Sequence, residues 1–192
     1  NVIAESFIKN NLRLFLFLLI LFFSIIYCLK SNNYYNNNFM SNFINKSFWN
    51  KKKVFVTGHT GFKGSWLCLF LKSMGAEVTG YSLKPVTNPN LFELADIKST
   101  IKKSIIADIR DYKKLYKEIK RSNSSIIFHL AAQPLVRLSF KHPKDTFDIN
   151  FTGSLNILQC IKKIKKIQTG IIITTDKVYD VTNTKIFKET DI

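Results

Sequence analysis

Two kinds of apolar pattern divide the 192-residue chain. From Leu14 to Leu29 the residues are almost continuously apolar, broken by Ser24 and flanked by Arg13 and Lys30. Beyond Lys51, short apolar runs alternate with amphipathic ones. The runs Val54–Thr57, Glu77–Leu83, Ser104–Ala107, Ile126–Leu130 and Ile171–Thr175 predict five strands. Phe62–Met74, closed by Gly75, predicts a helix, and Leu91–Ile97 a short one. Tyr112–Arg121 predicts a charged surface helix, and Thr146–Lys166 a long helix with Ile157, Cys160, Ile161, Ile164 and Ile167 on one face. Lys162, Lys163, Lys165 and Lys166 lie off that face near the C-terminus, where cations suit the helix dipole. Continuous apolar strands between helices predict an α/β class protein, a three-layer parallel sheet covered on both sides.

The leader, residues 1–39, stands apart from this pattern. Its apolar run is shorter than the roughly 20 residues that cross a bilayer as a helix. Tyr27-Cys28-Leu29-Lys30 is a poor cleavage site for a secretion signal, and an Asn/Tyr tract, Asn32 to Asn38, follows. The chain opens on Asn1, and Met40 precedes the globular pattern. Three readings of the leader stay open: a non-native extension, a membrane anchor through residues 12–29, or a cleaved signal. Residues 40–192 are expected to form the working domain, in the cytoplasm, with membrane contact only if residues 12–29 are genuine.

Charge changes the picture little. The net charge is +16, but 25 of the 29 basic residues are Lys, spread along the chain, and only Arg13, Arg110, Arg121 and Arg137 are Arg. A nucleic-acid binder clusters its charge and favours Arg, so nucleic acid is not an expected partner. Cys28, Cys68 and Cys160 are widely spaced, with no C-x-x-C pair, which argues against a disulfide framework or a zinc finger. No metal site is predicted.

Candidate chemistry gathers at the carboxyl ends of the predicted strands. Thr57-Gly58-His59-Thr60-Gly61-Phe62-Lys63-Gly64 joins the first strand to the first helix with the spacing G-x-x-G-x-x-G. Gly58 permits the tight turn, Gly61 lets backbone approach a pyrophosphate, and Gly64 lets the helix pack against the sheet. The helix's first N–H groups then meet phosphate charge. This context makes the sheet Rossmann-type and Gly58, Thr60, Gly61, Phe62, Lys63 and Gly64 candidate dinucleotide contacts. His59 is expected to be a loop residue. The second strand ends in Tyr81-Ser82-Leu83-Lys84, with no acid for the ribose hydroxyls, and Glu77 lies at the wrong edge. Strand chemistry therefore leaves NAD and NADP undistinguished. Asp108 and Ile109 after the third strand, and Leu130, Ala131, Ala132 and Gln133 after the fourth, are further cofactor candidates, Asp108 as acceptor for the adenine amino group. Thr175, Asp176 and Lys177 after the fifth place a hydroxyl, a carboxylate and an ammonium together.

These segments resemble the CDP-glucose 4,6-dehydratases, a family of extended short-chain dehydrogenase/reductases. The resemblance runs from about Phe48 to the last residue. Its specific parts are Gly58-His59-Thr60-Gly61-Phe62-Lys63-Gly64-Ser65-Trp66, Ala131-Ala132-Gln133-Pro134-Leu135-Val136-Arg137 and Thr175-Asp176-Lys177. It implies bound NAD, CDP-glucose as substrate, and a lyase reaction to CDP-4-keto-6-deoxyglucose, a precursor of surface polysaccharide sugars. It implies that Thr175 hydrogen-bonds the 4-hydroxyl and Asp176 acts as general acid. Lys177 stands where related dehydratases carry the Glu linked to proton removal at C5. Gln133 and Arg137 are implied substrate contacts, Arg suiting a diphosphate, and the full-length enzyme is expected to be a homo-oligomer. The family's Tyr-x-x-x-Lys pair after the fifth strand does not occur before Ile192, and Tyr116 and Lys120, at that spacing, read as surface residues. The sequence thus reads as an incomplete domain, stopping before its last strand and the C-terminal substrate region, and inactive alone. The alternatives are another extended reductase, such as a sugar-nucleotide epimerase, or a non-catalytic NAD-binding fragment.

Overall fold

The computed structural model describes residues 46–174. Five strands, β1 (Lys53–Thr57), β2 (Glu77–Ser82), β3 (Lys103–Ile106), β4 (Ile126–His129) and β5 (Thr169–Ile172), form one sheet in the order β3-β2-β1-β4-β5. Every adjacent pair is parallel. The helices are α1 (Lys46–Trp49), α2 (Phe62–Ser73), α3 (Leu91–Leu94), α4 (Ile97–Thr100), α5 (Tyr112–Ser122), α6 (Val136–Lys141), α7 (Pro143–Phe147) and α8 (Gly153–Lys163), with a π-helical turn, Asp148–Thr152, leading into α8. The sequence's α/β parallel sheet is what the chain forms.

Strand periodicity builds the two core layers. Successive side chains point to opposite faces. Val54, Val56 and Val78 pack with Cys68, Leu71 and Ile97 under α2 and α4. Phe55, Tyr81, Ile105 and Ile127 face the other way, against Leu115 and Ile119 of α5 and Ile157 and Cys160 of α8. The helix read from its charges as a surface element therefore carries a core stripe. Tyr116 is half-buried beside that core and lies 6.0 Å from the Tyr112 ring, while Lys120 is exposed.

Several element boundaries differ from expectation. The helix predicted over 146–166 is interrupted by the π-turn and stops at Lys163, with Ile164 already extended at φ −99° and ψ 94°. Ile164 and Ile167 still pack on the core from the following loop, so their apolar spacing reports burial without helix. The Leu91–Ile97 helix is two single turns, because Asp96 adopts a left-handed φ of 43° between them. β5 begins at Thr169, two residues earlier than predicted, in register with Ile126 of β4.

A candidate dinucleotide site at the carboxyl rim of the sheet

In this strand order β1 is followed in sequence by β2 on one side, while β4 lies on the other. The crevice outside the ends of β1 and β4 is the switch point where open α/β sheets bind ligands. The glycine turn leaves β1 there. Gly58 takes φ +73°, and a Cβ on it would lie 2.8 Å from Ala131 N and Leu130 C. A Cβ on Gly64 would lie 2.0 Å from Gly58 O, so the turn and the first helical turn touch backbone to backbone. Gly61 differs: among the described residues, its chain neighbours aside, the atom facing its Cβ position is Gly58 O, at 3.3 Å. Gly61 is the N-cap of α2 in extended conformation and, as glycine, brings no capping side chain of its own. A glycine N-cap that leaves backbone at the start of a helix fits a diphosphate. Phe62 and Lys63 are exposed on the first turn beside it.

The other named residues divide between the rim and its support. Thr60 Oγ1 donates to Leu83 O (2.8 Å) and lies 2.9 Å from Ser82 Oγ, which fastens the turn to the end of β2. His59 lies in the turn, as expected, but its side chain points inward. It is fully buried, its Nε2 2.7 Å from Ser104 Oγ, with Phe92 edge-on to the ring and Gly80 leaving it room. Burial lowers its pKa to about 4, opposed by a smaller contribution from the Tyr81 backbone, so the ring is neutral. Asp108 is gripped by Arg110, whose Nε lies 3.1 Å from both carboxylate oxygens and whose Nη2 lies 2.7 Å from Oδ2. That guanidinium holds the Asp108 carboxyl below its ordinary range. An adenine amino group would meet an acceptor already engaged by Arg110. Ile109 is buried against Gly153, and its carbonyl accepts from Asn156 Nδ2 at 3.1 Å.

After β4, Leu130 and Ala131 are half-buried and Ala132 is exposed, so the small side chains do line an open segment. The Gln133 side chain folds back: Nε2 donates to Leu135 O (3.1 Å) and Thr146 Oγ1 (3.0 Å), and Oε1 accepts from Leu135 N (2.7 Å). Arg137 is exposed on the first turn of α6. Thr175, Asp176 and Lys177 lie outside the described residues, directly beyond Thr174.

Sequence reasoning did not assign roles to the residues that fix this rim. Thr57 Oγ1 is 2.7 Å from His129 Nδ1 and accepts from Leu130 N and Ala131 N, both at 3.1 Å. His129 Nε2 is 3.1 Å from Ser154 Oγ, and Asn150 brackets Gln133, accepting from its N (2.8 Å) and donating to its O (3.1 Å). The available signal was a polar residue closing each of two otherwise apolar neighbouring strands. Among the described residues, no helix is long and apolar enough to cross a membrane.

A parallel sheet of this order, with a glycine turn and a glycine-capped helix at its switch point, defines the nucleotide-sugar branch of the extended short-chain dehydrogenase/reductases once the sequence matches are added. The family model described as GDP-mannose 4,6 dehydratase matches residues 55–192, and the chain belongs to that family. The chain is 49% identical over 137 residues to the CDP-glucose 4,6-dehydratase of Salmonella typhimurium (strain LT2), covering 71% of this chain and 38% of that one. It is 31% identical to the CDP-paratose 2-epimerase of Salmonella typhi, over 66% of this chain and 38% of the relative. Among solved structures it resembles the UDP-glucose-4-epimerase of Stenotrophomonas maltophila with bound NAD and formylated UDP-arabinopyranose. That match has 27% identity and a TM-score of 0.59, covering 67% of this chain and 38% of that one. The chain therefore spans well under half the length of these relatives.

Proposed function

We propose that this chain is the N-terminal, cofactor-binding part of a cytoplasmic NAD-dependent sugar-nucleotide dehydratase that converts CDP-glucose to CDP-4-keto-6-deoxyglucose. The observation that carries the cofactor assignment is the glycine turn: Gly58, Gly61 and Gly64 bring bare backbone to the start of α2 at the switch point, with Gly61 as its N-cap. The substrate assignment is supported by the 49% identity to a CDP-glucose 4,6-dehydratase. Bound NAD would supply the hydride acceptor for C4 of the sugar and, once reduced, the hydride donor for C6. The chain's own groups would supply part of the remainder, while the 4-hydroxyl proton would go to the family's Tyr-x-x-x-Lys pair after the fifth strand, which does not occur among these 192 residues. The α2 N-terminus and the turn from Gly58 to Gly64 hold the diphosphate. The segment Leu130–Gln133 backs the dinucleotide. Thr175 orients the 4-hydroxyl, and Asp176 protonates the departing C6 hydroxyl, which requires a carboxyl pKa raised towards neutrality. Lys177 serves proton removal at C5, and to act as a base it must be desolvated or placed beside positive charge. Arg137 offers a fork to the substrate diphosphate. The exposed Phe140, Phe147 and Phe151 support assembly into a homo-oligomer.

Calorimetric titration of the purified chain with NAD tests the cofactor assignment. Saturable binding is expected, and Gly61→Val is expected to weaken it at least about tenfold with the circular dichroism unchanged. Wild-type chain that folds and shows no NAD binding would overturn it. In the full-length enzyme, CDP-glucose is expected to yield the 4-keto-6-deoxy product. An epimerised sugar as the only product would move the chain to the epimerases.

A further inference from the structure

The hydrogen bonds around His129 form one chain whose proton positions can be solved. Thr57 Oγ1 has two lone pairs and one proton. Leu130 N–H and Ala131 N–H, both 3.1 Å away, occupy the lone pairs. The hydroxyl proton must then point to His129 Nδ1, at 2.7 Å. Nδ1 is therefore an acceptor, and the ring carries its proton on Nε2. That N–H donates to Ser154 Oγ (3.1 Å), and Ser154 Oγ donates in turn to Asn150 O (2.7 Å). Asn150, in the π-turn, clasps both backbone groups of Gln133. No link has two donors facing each other. The opposite tautomer would force Thr57 Oγ1 to accept three hydrogen bonds and leave Nε2 without a proton to offer Ser154.

We propose that His129, fixed as the neutral Nε2–H tautomer, is a positioning residue that locks the Leu130–Gln133 segment in place for the dinucleotide. The chain of bonds starts at Thr57 on β1 and ends at Gln133. It holds the backbone N–H of Leu130, Ala131 and Gln133 and the carbonyl of Gln133. Thr57 and His129 are 0% and 2% exposed, so water cannot substitute for either partner. The segment so held lines the crevice beside the glycine turn. A loose segment would move against a bound dinucleotide without any direct contact being lost.

The inference rests on the dinucleotide assignment above, and two measurements separate the two. Nitrogen-15 NMR of the histidine rings in the wild-type chain at neutral pH reports the tautomer whether or not NAD binds. The His129 Nδ1 is expected to resonate as an unprotonated nitrogen and Nε2 as a protonated one. The second measurement is NAD affinity of Thr57→Val, which keeps shape and removes the hydroxyl. Its dissociation constant is expected to rise roughly tenfold, since two N–H groups and one ring nitrogen lose their partner. Thr57→Ser is expected to restore affinity to within about twofold, which a side chain acting through packing alone would not do. A protonated Nδ1 in the wild type, or a folded Thr57→Val with unchanged affinity, would overturn the inference. If Thr57→Val fails to fold, the tautomer decides. Failure of wild-type chain to bind NAD would sink the functional assignment and leave the tautomer result standing.

Discussion

Acidification between pH 6.5 and 4 should destabilise this fold through two buried histidines. His59 and His129 each have the pKa lowered by burial from 6.5 to about 4. Their neighbours are neutral: Ser104, Phe92 and Gly80 around His59, Thr57 and Ser154 around His129. In the unfolded chain both rings protonate near 6.5. In the folded chain they stay neutral to about 4, so within that window the unfolded state binds more protons and stability rises with pH. The contribution is fully present above 6.5 and is lost as pH falls to about 4. A depression from 6.5 to about 4 corresponds to roughly 3 kcal/mol for each ring, or of the order of 6 kcal/mol together. That is comparable with the whole stability of a typical domain, 5–15 kcal/mol or so, and is enough to bring unfolding into the window. Urea unfolding followed by tryptophan fluorescence at half-unit steps from pH 7.5 to 4.5 measures it. His129→Asn, where it folds, should show about half the pH slope. Stability constant to within about 1 kcal/mol across the window would refute the assignment of both rings as buried and neutral. A separate loss is expected below the ordinary carboxylate range, because Lys103 holds Glu118 down and Arg110 holds Asp108 down.

Glycine replacements should separate folding from binding. Gly64→Ala places a methyl 2.0 Å from Gly58 O, backbone against backbone, and is expected to cost at least about 3 kcal/mol in chemical denaturation. Gly80→Ala would drive its Cβ to 2.4 Å from the His59 ring, and a drop in melting temperature of several degrees, roughly 5 °C or more, is expected by calorimetry. Leu115→Ala, at a fully buried position between α5 and the sheet, should cost about 2–5 kcal/mol by the same unfolding assay. Burial pushes the Cys68 thiol up to about 12 and Cys160 to about 11, so alkylation at pH 8 mapped by mass spectrometry should leave both unmodified until the chain unfolds.

The architecture was legible in the sequence because strands buried on both faces read as unbroken apolar runs, and Val54–Val56 and Ile126–Phe128 are such runs. The glycine turn was legible because Gly64 packs on Gly58, six residues away, and Gly58 takes the positive φ of a tight turn, although the Leu130–Ala131 backbone that also presses on Gly58 comes from far along the chain. What escaped was set by partners far off in the chain. Nothing local to His59 says that Ser104 and Gly80 enclose it. The end of α8 was misjudged because Ile164 and Ile167 keep helical spacing while packing from a loop. The hold of Thr146 on Gln133, thirteen residues apart, is set by the fold, whereas that of Arg110 on Asp108, two residues apart, lies within the local sequence.

The position of β1 between β2 and β4 has a consequence for how the chain is made. During synthesis β1 gains its β2 neighbour after about twenty residues and its β4 neighbour only after about seventy, Thr57 and His129 being 72 apart. Until then its open edge and the hydroxyl at its tip have no permanent neighbour. A nascent chain halted before Ile126 would display a ligand turn with half its wall missing. Competence for the dinucleotide would therefore arrive abruptly with β4 and would not accumulate gradually during synthesis.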